Sequence, residues 1–141
     1  MSHALSRSTP GLLGLALVLT CSPLFARPAQ AAPQPIVSEA MLKDLPDIPG
    51  REALVLTVDY PPGAIENVHR HDADAFVYVL EGTIVMQIRG GPEVTLKPGQ
   101  TFYEGPNDVH TVGRNASTTK PAKFVVVLLK KKGLEAVLPA E

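Results

Sequence analysis

The sequence predicts an all-β fold: one domain built as a sandwich or barrel of short strands. Three observations lead there. Past Gly50 the chain is a series of short apolar stretches cut by Gly and Pro. No segment is long and periodic enough for a core helix, and no repeat of fixed period is present. The turn signals recur at the regular spacing expected of hairpins, and a length of 141 residues suits a single domain.

The chain reads in four parts. Residues 1–31 resemble a secretory signal: Arg7 lies in a short n-region, an apolar run covers Gly11 to Leu19, and Ala29-Gln30-Ala31 gives a small-x-small cleavage site. The apolar run is shorter than the roughly 20 residues that span a bilayer. Cleavage after Ala31 predicts a secreted or periplasmic protein. Lipid anchoring at Cys21 is the weaker alternative, because Thr20 is bulky for the position before a lipoprotein cysteine. Residues 32–52 are Pro-rich and predict an extended N-terminal arm with one helical turn at Ser38 to Lys43.

Residues 53–130 carry the predicted strands: Ala53 to Tyr60, Ala75 to Leu80, Thr83 to Arg89, Glu93 to Leu96, Thr101 to Glu104, His110 to Val112 and Ala122 to Lys130. Between them stand "YPPGA", "EG", "RGGP", "KPGQ" and "EGPND", where Gly accepts positive φ and Pro presets φ. Residues 131–141 form a C-terminal tail, and Lys130-Lys131-Lys132 reads as the solvated end of the last strand.

Composition excludes several classes. The net charge of −1 and the absence of any basic, aromatic-studded patch argue against nucleic acid as a partner. The one cysteine, Cys21, leaves with the signal, so no disulfide holds the mature domain and a packed core must. No Ser/His/Asp order or phosphate loop appears. Asn115-Ala116-Ser117 matches a glycosylation sequon, which carries no weight in a chain whose signal looks equally bacterial.

The chemistry lies in the histidines. Period-two alternation puts His69 and His71 on one strand face with Ala75, Val77 and Val79, and puts Phe76, Tyr78 and Leu80 on the other. Both faces are apolar, so a second layer or a second subunit is expected to cover the strand, and a homodimer is predicted. Two imidazoles on one face can converge on a transition-metal ion.

The spacing extends beyond this pair. Gly63 is followed by five residues, His69-Arg70-His71, three residues, Ala75, six residues and Gly82. Downstream, Gly99 is followed by five residues, Gly105-Pro106-Asn107, two residues and His110. Over residues 53–130 the sequence resembles the cupin superfamily, whose motifs read G-x5-H-x-H-x3,4-E-x6-G and G-x5-P-x-G-x2-H-x3-N. The resemblance implies a single-domain cupin β-barrel, a jelly roll or double-stranded β-helix. It also implies one divalent transition metal, Fe, Mn, Ni, Cu or Zn, held by His69, His71 and His110.

The departures bear on that site. The first-motif glutamate position is Ala75, which cannot coordinate, and the second-motif proline, glycine and asparagine positions hold Gly105, Asn107 and Arg114. Three repairs are open: a bare three-histidine site, ligation by Glu104 if it shares the inward face of Phe102, or an oxygen from Asp72 or Asp74. Parity turns Asp74 away. Val77, Val79, Met86 and Phe102 read as barrel lining and candidate pocket wall. Catalytic residues are not identified.

Two functions stay open. One is a metal-dependent enzyme of the three-histidine dioxygenase type, acting on a small molecule in the cell envelope. The other is a non-catalytic cupin that binds a metal or small ligand.

Overall fold

The computed structural model of the protein describes residues 31–140; the expected signal sequence, with Cys21, lies outside the described residues up to Ala31. Ten strands form: β1 (Ile36–Asp44), β2 (Arg51–Tyr60), β3 (His69–Arg70), β4 (Ala73–Glu81), β5 (Ile84–Ile88), β6 (Val94–Leu96), β7 (Thr101–Glu104), β8 (Val109–Asn115), β9 (Ala122–Lys131) and β10 (Leu138–Pro139). They build two five-stranded sheets, ordered β1-β2-β9-β4-β7 and β10-β3-β8-β5-β6. No helix occurs among the described residues, and none there is long and apolar enough to cross a membrane. The fold is the all-β double-stranded barrel that the sequence predicts.

Alternation drives the packing. β9 buries Phe124, Val126 and Leu128, and β4 buries Ala75, Val77 and Val79, each at every second residue. Their side chains meet Leu54, Val58 and Tyr60 of β2 and Ile84 and Met86 of β5 in one core. Tyr60 and Phe124 stack edge to face with ring centroids 4.9 Å apart. Burying a side chain such as Phe124 contributes about 2–3 kcal/mol, and truncating it to Ala costs about 3–5 kcal/mol because the site cannot fully collapse. The β4–β5 turn needs Gly82: its φ is +71°, and a Cβ there would overlap the backbone of Pro121 and Ala122.

Several expectations change. The arm is not a loop with a helical turn at Ser38 to Lys43; Ile36–Asp44 is a nine-residue strand paired with β2. All nine residues are exposed, so backbone hydrogen bonds rather than burial make it a strand. The tail is not merely solvated, since Leu138 and Pro139 pair with Arg70 and His69. Lys130 is buried and donates to Glu52, directly opposite it on β2, and to the Leu134 carbonyl at 2.6 Å. Lys130 in turn holds the Glu52 carboxyl below the usual carboxylate range. Among the described residues nothing covers the outer face of β4, where Phe76, Tyr78 and Leu80 stay 41–47% exposed.

Asn115 is a structural hub rather than a surface acceptor. Its buried amide donates to the carbonyls of Tyr60, Pro61 and Lys120 at 2.8–3.1 Å, and its oxygen accepts from Ser117 N.

Candidate metal centre

The barrel brings the three predicted histidines together from three local settings. His69 of β3 and His110 of β8 are direct cross-strand partners, so both side chains leave the same face of that sheet. His71 lies in the break between β3 and β4, where the chain passes from one sheet to the other. The ring centroids of His71 and His110 are each 4.9 Å from that of His69.

Hydrogen bonds fix which ring nitrogen is free. His69 Nδ1 is 2.8 Å from the Asn67 carbonyl, and His71 Nδ1 bonds the Ala136 carbonyl in the tail. A carbonyl only accepts, so each Nδ1 carries the proton and each Nε2 keeps a lone pair. Those two Nε2 atoms lie 3.3 Å apart. Two acceptors facing each other at that distance have no bond to share, which is the arrangement a cation would bridge.

Glu104 enters from β7. It is buried, opposite Ala75, with carboxylate oxygens 3.8 Å from His71 Nε2 and 3.6 Å from His110 Nδ1. Its inward direction follows the parity with Phe102, while Tyr103 points outward and donates to Asp74 at 2.7 Å. Asp74 is thereby committed on the outer surface.

Glu66 is a residue that sequence reasoning missed. It lies in the irregular segment before β3, and its backbone N–H is tied to the Gly113 carbonyl at 2.8 Å. Its carboxylate is 3.6 Å from His110 Nδ1, and Glu66, His69 and His110 offer ligand atoms within 4.8 Å of one another. Gly113 makes room for it, since a Cβ there would overlap that carboxylate and come within 3.0 Å of His110 Cε1 and the Tyr60 hydroxyl. The one available signal in the sequence was an acidic residue between the first-motif glycine and histidine.

Burial sets the charge states. It lowers the pKa of His110 to about 4, helped by nearby His69, and also lowers that of His71. It raises the Glu104 carboxyl to about 8, with Glu66 and Asp108 adding to the effect, and raises Glu66 too. In the close His–Glu approaches burial thus works against the charged form of each partner. Three buried polar atoms here lack a hydrogen-bond partner: Glu104 Oε2, His110 Nε2 and the Tyr60 hydroxyl. Such clustering is rare in a finished core and marks a place built for something else. Imidazole nitrogens with one or two carboxylates make a donor set that fits a divalent transition ion.

A cavity of about 240 Å³ opens beside this cluster. Val77 and Met86 line it, with Leu56, Phe124 and Val126. Val79 is buried in the core outside that lining, and Phe102 packs against the core from the edge strand. Gln34 and Val37 from the arm and β1, and Val137 from the tail, also contribute to the wall.

Fold and cluster together define a small double-stranded β-helix protein with an internal imidazole–carboxylate site. The chain belongs to the cupin family: residues 56–128 match the family model described as "Cupin domain". Solved structures share the fold. An uncharacterized conserved protein with a double-stranded β-helix domain from Klebsiella pneumoniae is 21% identical, with a TM-score of 0.60, over 82% of this chain and 92% of that one. A cupin domain from Bordetella pertussis is 23% identical, with a TM-score of 0.56, over 72% and 98%. The DMSP lyase DddQ from Ruegeria pomeroyi is 20% identical, with a TM-score of 0.55, over 62% of this chain and 43% of the lyase. The match thus spans less than half the length of that enzyme. No curated protein matches the sequence significantly.

Proposed function

We propose that the protein is a metal-dependent cupin that holds one divalent ion through His69, His71, His110 and Glu104 and acts on a small molecule in the adjoining cavity. The observation that carries this is the approach of His69 Nε2 and His71 Nε2 to 3.3 Å, with both Nδ1 atoms committed to carbonyls. Glu66 offers a further oxygen, 3.6 Å from the same His110 Nδ1 that Glu104 approaches. A divalent ion bound there supplies Lewis acidity and open positions for an oxygen of the small molecule. Fe, Mn, Ni, Cu and Zn all accept such donors. The chain's own part is to hold the imidazoles neutral and oriented, to bring the carboxylates in, and to exclude bulk water with an apolar wall.

The reaction type within this reading is dioxygenase-like. The deciding experiment is metal analysis of protein from its native compartment, followed by O2 uptake with Fe(II) and a panel of diketones, thiols and phenols. Metal-dependent uptake supports the enzyme. Tight metal without uptake on any substrate leaves the non-catalytic binding cupin instead, which the lost glutamate at position 75 favours.

Export through residues 1–31 completes the reading, and N-terminal sequencing of secreted protein beginning at Ala32 tests it. A second copy of the chain is the proposed cover for Phe76, Tyr78 and Tyr103, because the patch is apolar, aromatic and lies on one sheet face. Light scattering at micromolar concentration decides it: a monomer mass overturns the homodimer.

A further inference from the structure

The cavity combines two features that rarely serve the same ligand. One end carries two carboxyl groups, the partly buried Glu66 and the buried Glu104, and three imidazoles. The wall beyond them is aliphatic and aromatic, formed by residues such as Leu56, Val77, Met86 and Val126. Among the described residues, none that lines the cavity is Lys or Arg. The polar side chains elsewhere in the lining are the amides Gln34 and Asn67.

Charge follows from that inventory. A cupin cavity without a cationic side chain offers an anionic ligand no counter-charge other than the ion, and the ligand would give up its hydration to an apolar wall that returns nothing for it. A cationic ligand would lose its hydration in the same way, and a divalent ion seated among those carboxyl groups would repel it. Size follows as well: a cavity of about 240 Å³ lies below the range usual for drug-sized ligands.

From this we infer that the site takes a small uncharged molecule with an apolar body and one oxygen donor. The oxygen turns to the histidine end, and the body lies along Val77 and Val126. This rests on the proposed small-molecule role and names the class of its ligand.

The test uses four molecules of one shape: 4-methyl-2-pentanone, isovaleramide, isovalerate and isovaleramidinium. Binding is read from NMR shifts of the Val and Met methyls in metal-free protein and in protein loaded with redox-silent Zn(II). The ketone and the amide are expected to bind at least about tenfold more tightly than the carboxylate and the amidinium, in both forms, and to shift Val77 and Met86. A preference for isovalerate or isovaleramidinium overturns the inference, as does equal binding of all four. Val37→Lys, at a half-exposed lining position on an edge strand that tolerates charge, should raise affinity for isovalerate several-fold without unfolding the barrel. No change there also counts against it. The two readings fail separately: Zn(II) that does not bind sinks the metal site alone, whereas Zn(II) that binds with isovalerate preferred sinks only the ligand class.

Discussion

Glu104 stands directly opposite the fully buried Ala75 in the β4–β7 ladder, and its carboxyl group reaches to 3.8 Å of His71 Nε2 and 3.6 Å of His110 Nδ1. Cross-strand partners hold their Cβ atoms about 5 Å apart, so a carboxylate on either strand reaches the same region of the cavity. The acidic group that the first motif lacks enters from the neighbouring strand.

Exchanging the two positions should therefore be tolerated. Glu104→Ala is expected to weaken metal binding by about a hundredfold or more, beyond the ten- to hundredfold typical of a lost outer partner. Ala75→Glu on that background should recover most of it. Competition titration with a chromophoric chelator reads both, and a double variant no better than Glu104→Ala would show that the positions are not equivalent. Ala75→Glu alone crowds two carboxyls together and should lower Tm.

Metal-free stability should fall between pH 6.5 and 8. The Glu104 carboxyl titrates at about 8 in the fold and near 4.5 when unfolded, so the folded state binds the extra proton and loses stability as pH rises through that window. His110 is shifted down from 6.5 to about 4, so its contribution rises with pH from 4 to 6.5 and offsets the Glu104 slope there. Above 6.5 the carboxyl acts without that offset, and the loss to pH 8 is on the order of 2 kcal/mol. Raised Glu66 and lowered His71 act in the same opposed senses. Urea unfolding in EDTA at both pH values measures the slope, and Glu104→Gln should flatten it.

The tail should matter to the metal more than to the fold. Truncation after Leu134 removes the Ala136 carbonyl that holds His71 Nδ1 and the β10 residues paired with His69 and Arg70. Metal affinity should drop by roughly ten- to hundredfold while far-UV circular dichroism stays unchanged. Undiminished affinity would mean that His71 keeps its tautomer unaided.

Gly113→Ala places a methyl group where the Glu66 carboxylate lies. The expected cost is about 1–3 kcal/mol, as for other overpacked sites. If Glu66 is the group displaced, Glu66→Ala on the same background should return most of the stability, as thermal melts would show.

Much of this was legible in the sequence, and the failures have physical causes. Inside-facing strands announce themselves by alternation: Thr101–Glu104 is bounded as expected, and Glu104 could be turned inward from its parity with Phe102. β1 could not be read because an edge strand exposed along its whole length has no burial pattern to display. Glu66 was hidden for another reason. Its approach to His110 depends on a hydrogen bond to Gly113, 47 positions further along the chain, and nothing local encodes that pairing. Lys130 looked like part of a solvated charge run because its partner Glu52 lies on another strand.

The fully committed amide of Asn115 has a practical consequence for producing the protein. The sequon it heads would be read by the oligosaccharyl machinery of a eukaryotic secretory host, acting on the chain as it emerges. A sugar on that nitrogen would leave it a single N–H for three carbonyls and wedge a bulky group where β8 must meet the Tyr60–Pro61 turn. Chains modified before folding would fail to close the barrel, so a bacterial periplasm should yield folded protein where a yeast or insect secretory pathway yields retained, misfolded glycoprotein.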